Sequence, residues 1–388
     1  MIFSLFSDFI ILHVIGDLVI PKKVKRPLQT EDKFGSVCMP VLTAEQLRAL
    51  GTSIFTGLGA PEEDAELVAD LLVEANLTGF DSHGMIRLPI YAKGIKMGAV
   101  KPGAEVKIVE ETPSTAVIDG GWNFGQVVAK YAMSVCIEKA RNSVVGLVTA
   151  RNSQHAGRLN TYAEMAMAQD MIGIASVNSA SYVAPFGGKS KQLGTNPLCF
   201  AIPSGEEPPM VLDMATSVWA RGKIMVHLAR GEKLPEGIFM DPEGNPTTDP
   251  SWYTKGGVLR NLGGEIAGYK GFGLSLLVEI LTGALTEGGV SNSEEYRSRP
   301  FYGGNGIFMM AIDVGRLTDL DAFKKRVDNL LESVKSSSLA PGYDEILIPG
   351  DPERRKKAKR LKEGIFIEDN TWNDITALAK ELNVKIPI

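Results

Sequence analysis

Residues 144–179 read VVGLVTARNSQHAGRLNTYAEMAMAQDMIGIASVNS. VVGLVTARN and IGIASVNS read as buried strands, and LNTYAEMAMAQDM between them as a helix. The same order runs just upstream, where STAVIDGG is a strand entering a turn and QVVAKYAMSVCIEKARN is a helix. Strand and helix alternate, which marks an α/β region, and the alternation taken alone suggests a parallel sheet. Within the stretch, Arg151, Asn152, Ser153 and Gln154 lead into His155. That loop follows the C-terminal end of a strand, where α/β sheets usually place ligands. A helix-capping loop would explain the serine and asparagine but not the histidine.

Ordered structure is expected to start upstream, at Thr43. TAEQ (43–46) is a capping box, and the helix it opens should end near Gly57–Gly59. APEEDAELVADLLVEANLTG is a second helix, with Ala65, Val68, Leu72 and Ala75 on one face and Gly79 as its stop. FDSHGMIRLP (80–89) follows directly, so His83 stands at a helix junction. An imidazole titrates near ~6.5 and suits proton transfer at neutral pH. If 83–87 continues as helix, His83 and Arg87 share a face, and the guanidinium could grip a carboxylate while the imidazole moves a proton. The competing readings are a hydrogen-bonded loop histidine and a surface arginine. GYKGFGLSLLVEILTGALTEGG (268–289) is an apolar helix with a glycine-rich entry, GIFMMAIDV a late strand, and the C-terminal part amphipathic helix.

The gross composition bounds the function. A chain of 388 residues exceeds one compact core, so two or three lobes are expected. Hydrophobic content of 44% with 22% charge fits a soluble globular protein, and a net charge of −5 argues against a nucleic-acid binder. KKAKRLK (356–362) reads as a solvated helix face. Cys38, Cys136 and Cys199 form no CxxC pair, which fits a reducing, cytoplasmic compartment and no metal site. Residues 2–20 approach the length of a membrane span, but Asp8, His13 and Asp17 interrupt them, so a span is not expected. Residues 1–40 are set apart as an extension.

Three further segments could carry chemistry. PFGGKSKQLGTNPL (185–198) has Gly187, Gly188 and Gly194 to admit a ligand, with Thr195 and Asn196 beside them; a tight-turn loop explains it equally. It matches neither a Walker A sequence nor GxGxxG. VLDMATSVWARGK (211–223) puts Asp213 at a strand end, where a carboxylate could orient a histidine or cap a helix. Lys270 sits among glycines in a helix entry that could receive an anion, and LIPGDPERR (347–355) is a turn before a helix. His227 reads as structural. Two functions survive: an oxidoreductase taking an anionic substrate with a nucleotide cofactor, and a cofactor-free α/β hydrolase or lyase. The second lacks a GxSxG elbow. An interaction module would not need three polar, glycine-rich loops.

DSHG with its arginine, the HAGR loop, PFGG…GTNPL, LDMATS, GYKGFGL and the late PGDPE turn recur in this order from about Thr43 to Ile367. Together they resemble the malate/L-lactate dehydrogenase family, which is unrelated to Rossmann dehydrogenases. The resemblance implies an α/β fold of the L-sulfolactate dehydrogenase type with a mixed, largely antiparallel sheet, in place of the parallel one. It divides the chain into a helical segment (41–115) packing with the C-terminal part, an NAD(P)-binding lobe (116–315) and a C-terminal helical segment (316–388). It implies NAD or NADP as cofactor, a small anionic substrate, and a homodimer with the active site near the interface. The reaction it implies interconverts a 2-hydroxy acid and its 2-oxo acid, or else reduces a cyclic imine carboxylate or a sugar-derived 2-oxo acid. Residue by residue, His83 and His155 match the acid/base of different members, His83 being favoured because Arg87 travels with it. Asp213 would orient the imidazole, and Arg87 and Ser179 would contact substrate. Asp213, Met214, Ala215, Lys270, Gly350 and Asp351 match cofactor contacts, with Thr195 and Asn196 beside them. One departure is the loop YGGNG (302–306), where ureidoglycolate dehydrogenases carry an arginine. It favours a malate- or lactate-like acid over an allantoin-pathway substrate.

Overall fold

The computed structural model describes residues 41–299 and 304–387. The extension over 1–40, and Tyr302 and Gly303 of the YGGNG loop, lie outside the described residues. The first helix, α1 (Ala44–Gly57), opens on the capping box: Gln46 N donates to Thr43 Oγ1 at 3.1 Å, and Thr43 N donates to Gln46 Oε1 at 2.9 Å. Helix α2 (Glu62–Leu77) starts with Glu62, Glu63 and Asp64, whose charges favour the positive end of its dipole. After α2 the chain does not continue as helix. Two short 3₁₀ turns, Asp81–His83 and Met85–Arg87, are broken at Gly84, and only then does α3 (Leu88–Lys96) begin. His83 and Arg87 therefore do not share a helical face.

Next come β1 (Lys107–Glu111), β2 (Thr115–Asp119), α4 (Gly125–Ser143), β3 (Val145–Ser153), α5 (Asn160–Met167), β4 (Met171–Val177), β5 (Leu198–Ile202) and β6 (Met210–Met214). Helices α6 (Arg221–Arg230) and α7 (Gly264–Glu279) follow, then β7 (Asn305–Asp313), α8 (Leu320–Lys335), α9 (Asp351–Glu363) and α10 (Asp369–Glu381). One seven-stranded sheet has the order β1-β2-β3-β7-β4-β5-β6. Only β2 and β3, joined through α4, pair in parallel; every other neighbour is antiparallel. The late strand β7 is inserted between β3 and β4 and pairs with both, Met309 facing Val148 on one side and Ala175 on the other. Strands β3 and β4 thus run the same way without touching. The mixed, largely antiparallel sheet is the observed one, and the parallel sheet suggested by alternation alone is not.

Three apolar clusters hold the elements. Ile118, Val128, Met133, Val148, Ala175 and Met309 belong to the sheet core under α4 and α5. Leu47, Phe55, Leu72 and Leu88 pack with Ile365, Ile375 and Leu378 from the C-terminal part. Val183, Ile224, Phe239 and Leu259 form a smaller cluster beside α6. Helix α9 is not merely a solvated face: Lys357 pairs with Glu74 of α2 at 2.7 Å, and Arg360 pairs with Asp81 at 2.6 Å.

Helix α4 lies directly on β3 because Gly146 has no side chain there. A Cβ at Gly146 would meet the Cys136 carbonyl oxygen at 2.0 Å, and backbone cannot swing aside. Gly146→Ala is expected to destabilise the protein by at least about 1–3 kcal/mol, the usual cost of overpacking. Denaturant unfolding checks this, and an unchanged midpoint would show that α4 stands off the strand.

Candidate active site

The turn carrying His83 is tied down from three sides. Asn76 Nδ2 donates to Asp81 Oδ1 at 2.7 Å, Met85 N donates to Asn76 Oδ1 at 2.8 Å, and Arg360 clamps Asp81 from α9. Within the turn, Ser82 Oγ lies 2.9 Å from His83 Nδ1, and Arg87 Nε donates to the Ser82 carbonyl at 2.7 Å. The loop after β3 brings His155 against it. The two imidazoles stack with ring centroids 5.5 Å apart and planes 25° from parallel. Sequence reasoning treated them as alternatives, whereas the fold makes them neighbours. Both keep part of the ring exposed.

Tyr91, on α3, was missed. Its hydroxyl lies 2.7 Å from His155 Nδ1 and accepts from Gln126 Nε2 at 3.0 Å. With the Gln126 amide donating to the phenol oxygen, the phenol proton points at Nδ1, and the neutral ring carries its own proton on Nε2. Tyr91 stands four residues beyond Arg87, a spacing that could have flagged it. Its place on an apolar helix face reads instead as core. Burial, then the charges of Arg87 and Arg158, hold the His83 imidazole down at about 3. His155 is also held well below its ordinary value, by burial and then by Arg87, His83 and Arg221. Burial raises the Tyr91 phenol to about 12. The site thus sets neutral imidazoles among fixed guanidinium charges.

Asp213 does not orient either imidazole. Its Oδ2 accepts from Leu159 N and Asn160 N, each at 3.1 Å, so it caps the start of α5. Burial raises its carboxyl to about 6. The reason lies in the register: β6 ends the sheet beside β5, and its last residues face the α5 terminus. Asp213 also lines a cavity of about 390 Å³, together with Arg158, Asn160, Gly350, Arg354 and Lys357. Two buried atoms in that lining, Arg158 Nε and Asn160 Oδ1, have no hydrogen-bond partner among the described residues. Its volume and unspent polar atoms fit a polar ligand of nucleotide type. Asp351 is adjacent, accepting from Ile348 N at 2.9 Å and pairing with Arg354 at 2.7 Å.

Ser179 and the glycine-rich loop form a separate network. Thr195 N donates to Ser179 Oγ at 3.0 Å, and Ser179 N donates to Asn196 Oδ1 at 3.3 Å. Asn196 holds a left-handed φ of 39° and donates to Glu279 Oε1 at 3.0 Å. Glu279, also missed, is a buried carboxylate that accepts from Ser291 N at 3.1 Å. A lone glutamate in the apolar run LLVEILTG was its signal. Met214 ends β6 and Ala215 follows it, next to Thr216, whose N donates to the Thr195 carbonyl at 2.9 Å. Lys270 lies in the second turn of α7, exposed, with Nζ 5.9 Å from the Tyr269 ring centre. It does not line the cavity.

A model of the malate/L-lactate dehydrogenase family matches residues 42–376. The L-sulfolactate dehydrogenase of Methanocaldococcus jannaschii is 42% identical over 352 residues, covering 89% of this chain and 98% of that protein. The malate dehydrogenase of Pyrococcus abyssi is 40% identical over 348 residues, covering 88% and 94%. The crystal structure of malate dehydrogenase from Entamoeba histolytica has a TM-score of 0.86 at 32% identity, covering 90% of this chain and 99% of that one. Fold and matched length together define an oxidoreductase of the hydroxy-acid dehydrogenase type. The chain belongs to the malate/L-lactate dehydrogenase family. That membership displaces the reading as a cofactor-free lyase or hydrolase.

The depressed imidazoles make stability depend on pH. Below about 6.5 the unfolded chain binds protons that the folded site refuses, so stability falls as the pH drops from there toward 3. Asp213 acts the other way: between 3.8 and about 6 the folded carboxyl holds a proton that the unfolded one has lost. The melting temperature of the ligand-free protein should therefore decline from pH 7 to 4.5. The decline should be shallower in His83→Gln and His155→Gln and steeper in Asp213→Asn; a slope unchanged in all three would contradict the assignment.

Proposed function

We propose that the chain interconverts a small 2-hydroxy acid and its 2-oxo acid with NAD or NADP, using His155 to move the proton and Arg87 to hold the substrate carboxylate. The observation that carries this reading is the hydrogen-bonded chain Gln126–Tyr91–His155 stacked beside His83, with the Arg87 guanidinium close enough to act on both imidazoles. The sequence favoured His83, but the Tyr91 bond favours His155, because it fixes the ring and leaves Nε2 for the substrate oxygen. In the oxidising direction the neutral ring accepts the hydroxyl proton. In the reducing direction the imidazolium gives a proton to the new alkoxide, its Nδ1–H directed at the Tyr91 oxygen. A bound carboxylate offsets the Arg87 charge and lifts the imidazole pKa toward the range that this needs. Arg87 also fixes where C2 lies.

Asp213, Met214, Ala215, Gly350 and Asp351 would hold the cofactor at the cavity, with Ser179, Thr195 and Asn196 framing its inner end. The cofactor, when bound, supplies or takes the hydride at C2. NAD and NADP both fit this reading. The relatives act on malate, sulfolactate or lactate by name, which supports a short 2-hydroxy acid here. We also read the working form as a homodimer. Helix α7 exposes an apolar stripe of Ile266, Tyr269, Leu276, Leu277 and Ile280, with Ile266 93% and Ile280 58% accessible. A continuous stripe of that kind is the surface a second copy covers. Among the described residues no helix is long and apolar enough to cross a membrane, and the unpaired thiols of Cys136 and Cys199 support a cytoplasmic setting.

A panel of 2-oxo acids assayed with NADH and NADPH at the nicotinamide absorbance tests the reaction. His155→Ala should lower turnover by about 10²–10⁴-fold, and Arg87→Lys should chiefly raise KM, because the two-pronged grip is lost. Loss of turnover in His83→Ala but not in His155→Ala would reverse the assignment. Light scattering should give twice the chain mass, falling to one chain in Ile280→Glu.

A further inference from the structure

A second basic cluster lies against the imidazole pair. Arg221 opens α6, and Gly222 after it packs so tightly on the His83 turn that a Cβ would come within 2.4 Å of Ser82 Cβ. Lacking that atom, α6 docks directly on the turn. Docking brings the Arg221 charge close enough to His155 to act on it. The Arg221 guanidinium carbon is 4.4 Å from the Tyr182 ring centre and 5.6 Å from that of Tyr253, and its Nε donates to the Tyr253 hydroxyl. The two rings stack with centres 5.9 Å apart. Lys191, from the loop 185–197, holds its Nζ 5.9 Å from both ring centres. Burial and the Arg221 charge lower the Lys191 pKa. Two cations are thus held near each other over one aromatic pair. The π faces offset part of their repulsion, and an anion between them would offset the rest.

We propose that Arg221 and Lys191 take the second anionic group of a dianionic 2-oxo acid, a carboxylate or sulfonate at the end remote from the carboxylate held by Arg87. The inference rests on the proposed 2-oxo acid reading of the site. It narrows the substrate class, because a monoanion leaves the second cluster without its counter-charge. Arg221 and Lys191 are then specificity-determining residues, with Tyr182 and Tyr253 as the floor that positions them.

The test compares kcat/KM for oxaloacetate and pyruvate in the full-length wild type, Arg221→Met, Arg221→Lys and Lys191→Met. The wild type should favour oxaloacetate. Arg221→Met should cut that preference by about 10- to 100-fold, the size of a lost charge-assisted hydrogen bond, and Arg221→Lys should restore part of it. Equal losses on both substrates would overturn the proposal. Calorimetric titration of the enzyme with reduced cofactor, using succinate and propionate as unreactive deoxy counterparts of malate and lactate, gives a readout free of turnover. Succinate should bind more tightly, and the advantage should vanish in Arg221→Met; equal affinities in the wild type would sink the idea. Cofactor binding followed by protein fluorescence gives the remaining arm: if Arg221→Met weakens that binding instead, the cluster serves the dinucleotide and the proposal is overturned. A wild type that reduces no 2-oxo acid but binds succinate selectively would leave this site standing while the proposed function fails.

Discussion

The stacking of His83 on His155 depends on joining two parts of the chain with separate cores. His83 belongs to the helical part, whose packing is completed by Ile365 and Leu378, and His155 to the sheet part. Their ring centres meet at 5.5 Å because the His83 turn is held in place by Asn76, Asp81 and Arg360, and the His155 ring by Tyr91. Neither imidazole has a carboxylate partner among the described residues, and guanidinium groups surround both. A site built this way stores positive potential and keeps its titratable rings neutral until a negative charge arrives.

That arrangement gives chemical sense to several otherwise unrelated features. Tyr91 and Gln126 spend buried polar groups on orienting one ring. Asp213, although buried, spends its carboxylate on two backbone amides of α5 and not on a histidine. Gly222 gives up a side chain so that α6 can bring a further guanidinium to the cleft. Each choice moves negative charge away from the imidazoles or positive charge toward them, as a site for an anionic substrate requires.

Much of this was legible in local patterns. The capping box at Thr43, the strand–helix–strand runs and the position of His155 after a strand all depend on a few neighbouring residues, and the structure has them where the patterns put them. Sheet order was not legible from local pattern. Strand β7 comes about 150 residues after β3, and nothing local to NGIFMMAID says that it inserts beside Val148 and Ala175. The break at Gly84 escaped notice because HGMIR has good helix formers on either side. The role of Asp213 could not be chosen from sequence, since a capping and an orienting carboxylate look alike until the partner is known. Arg158 and Arg221 lay in segments already singled out, yet their bearing on the imidazoles appears only when four segments converge.

The most direct measurement is the protonation state of the two imidazoles, read by NMR on histidine-labelled enzyme with and without a saturating carboxylate ligand such as succinate. The account predicts neutral rings in the free enzyme down to at least about pH 5, and an upward shift in the His155 pKa once the anion is bound. Imidazolium at pH 6.5 in the free enzyme, or a pKa indifferent to the bound anion, would contradict it.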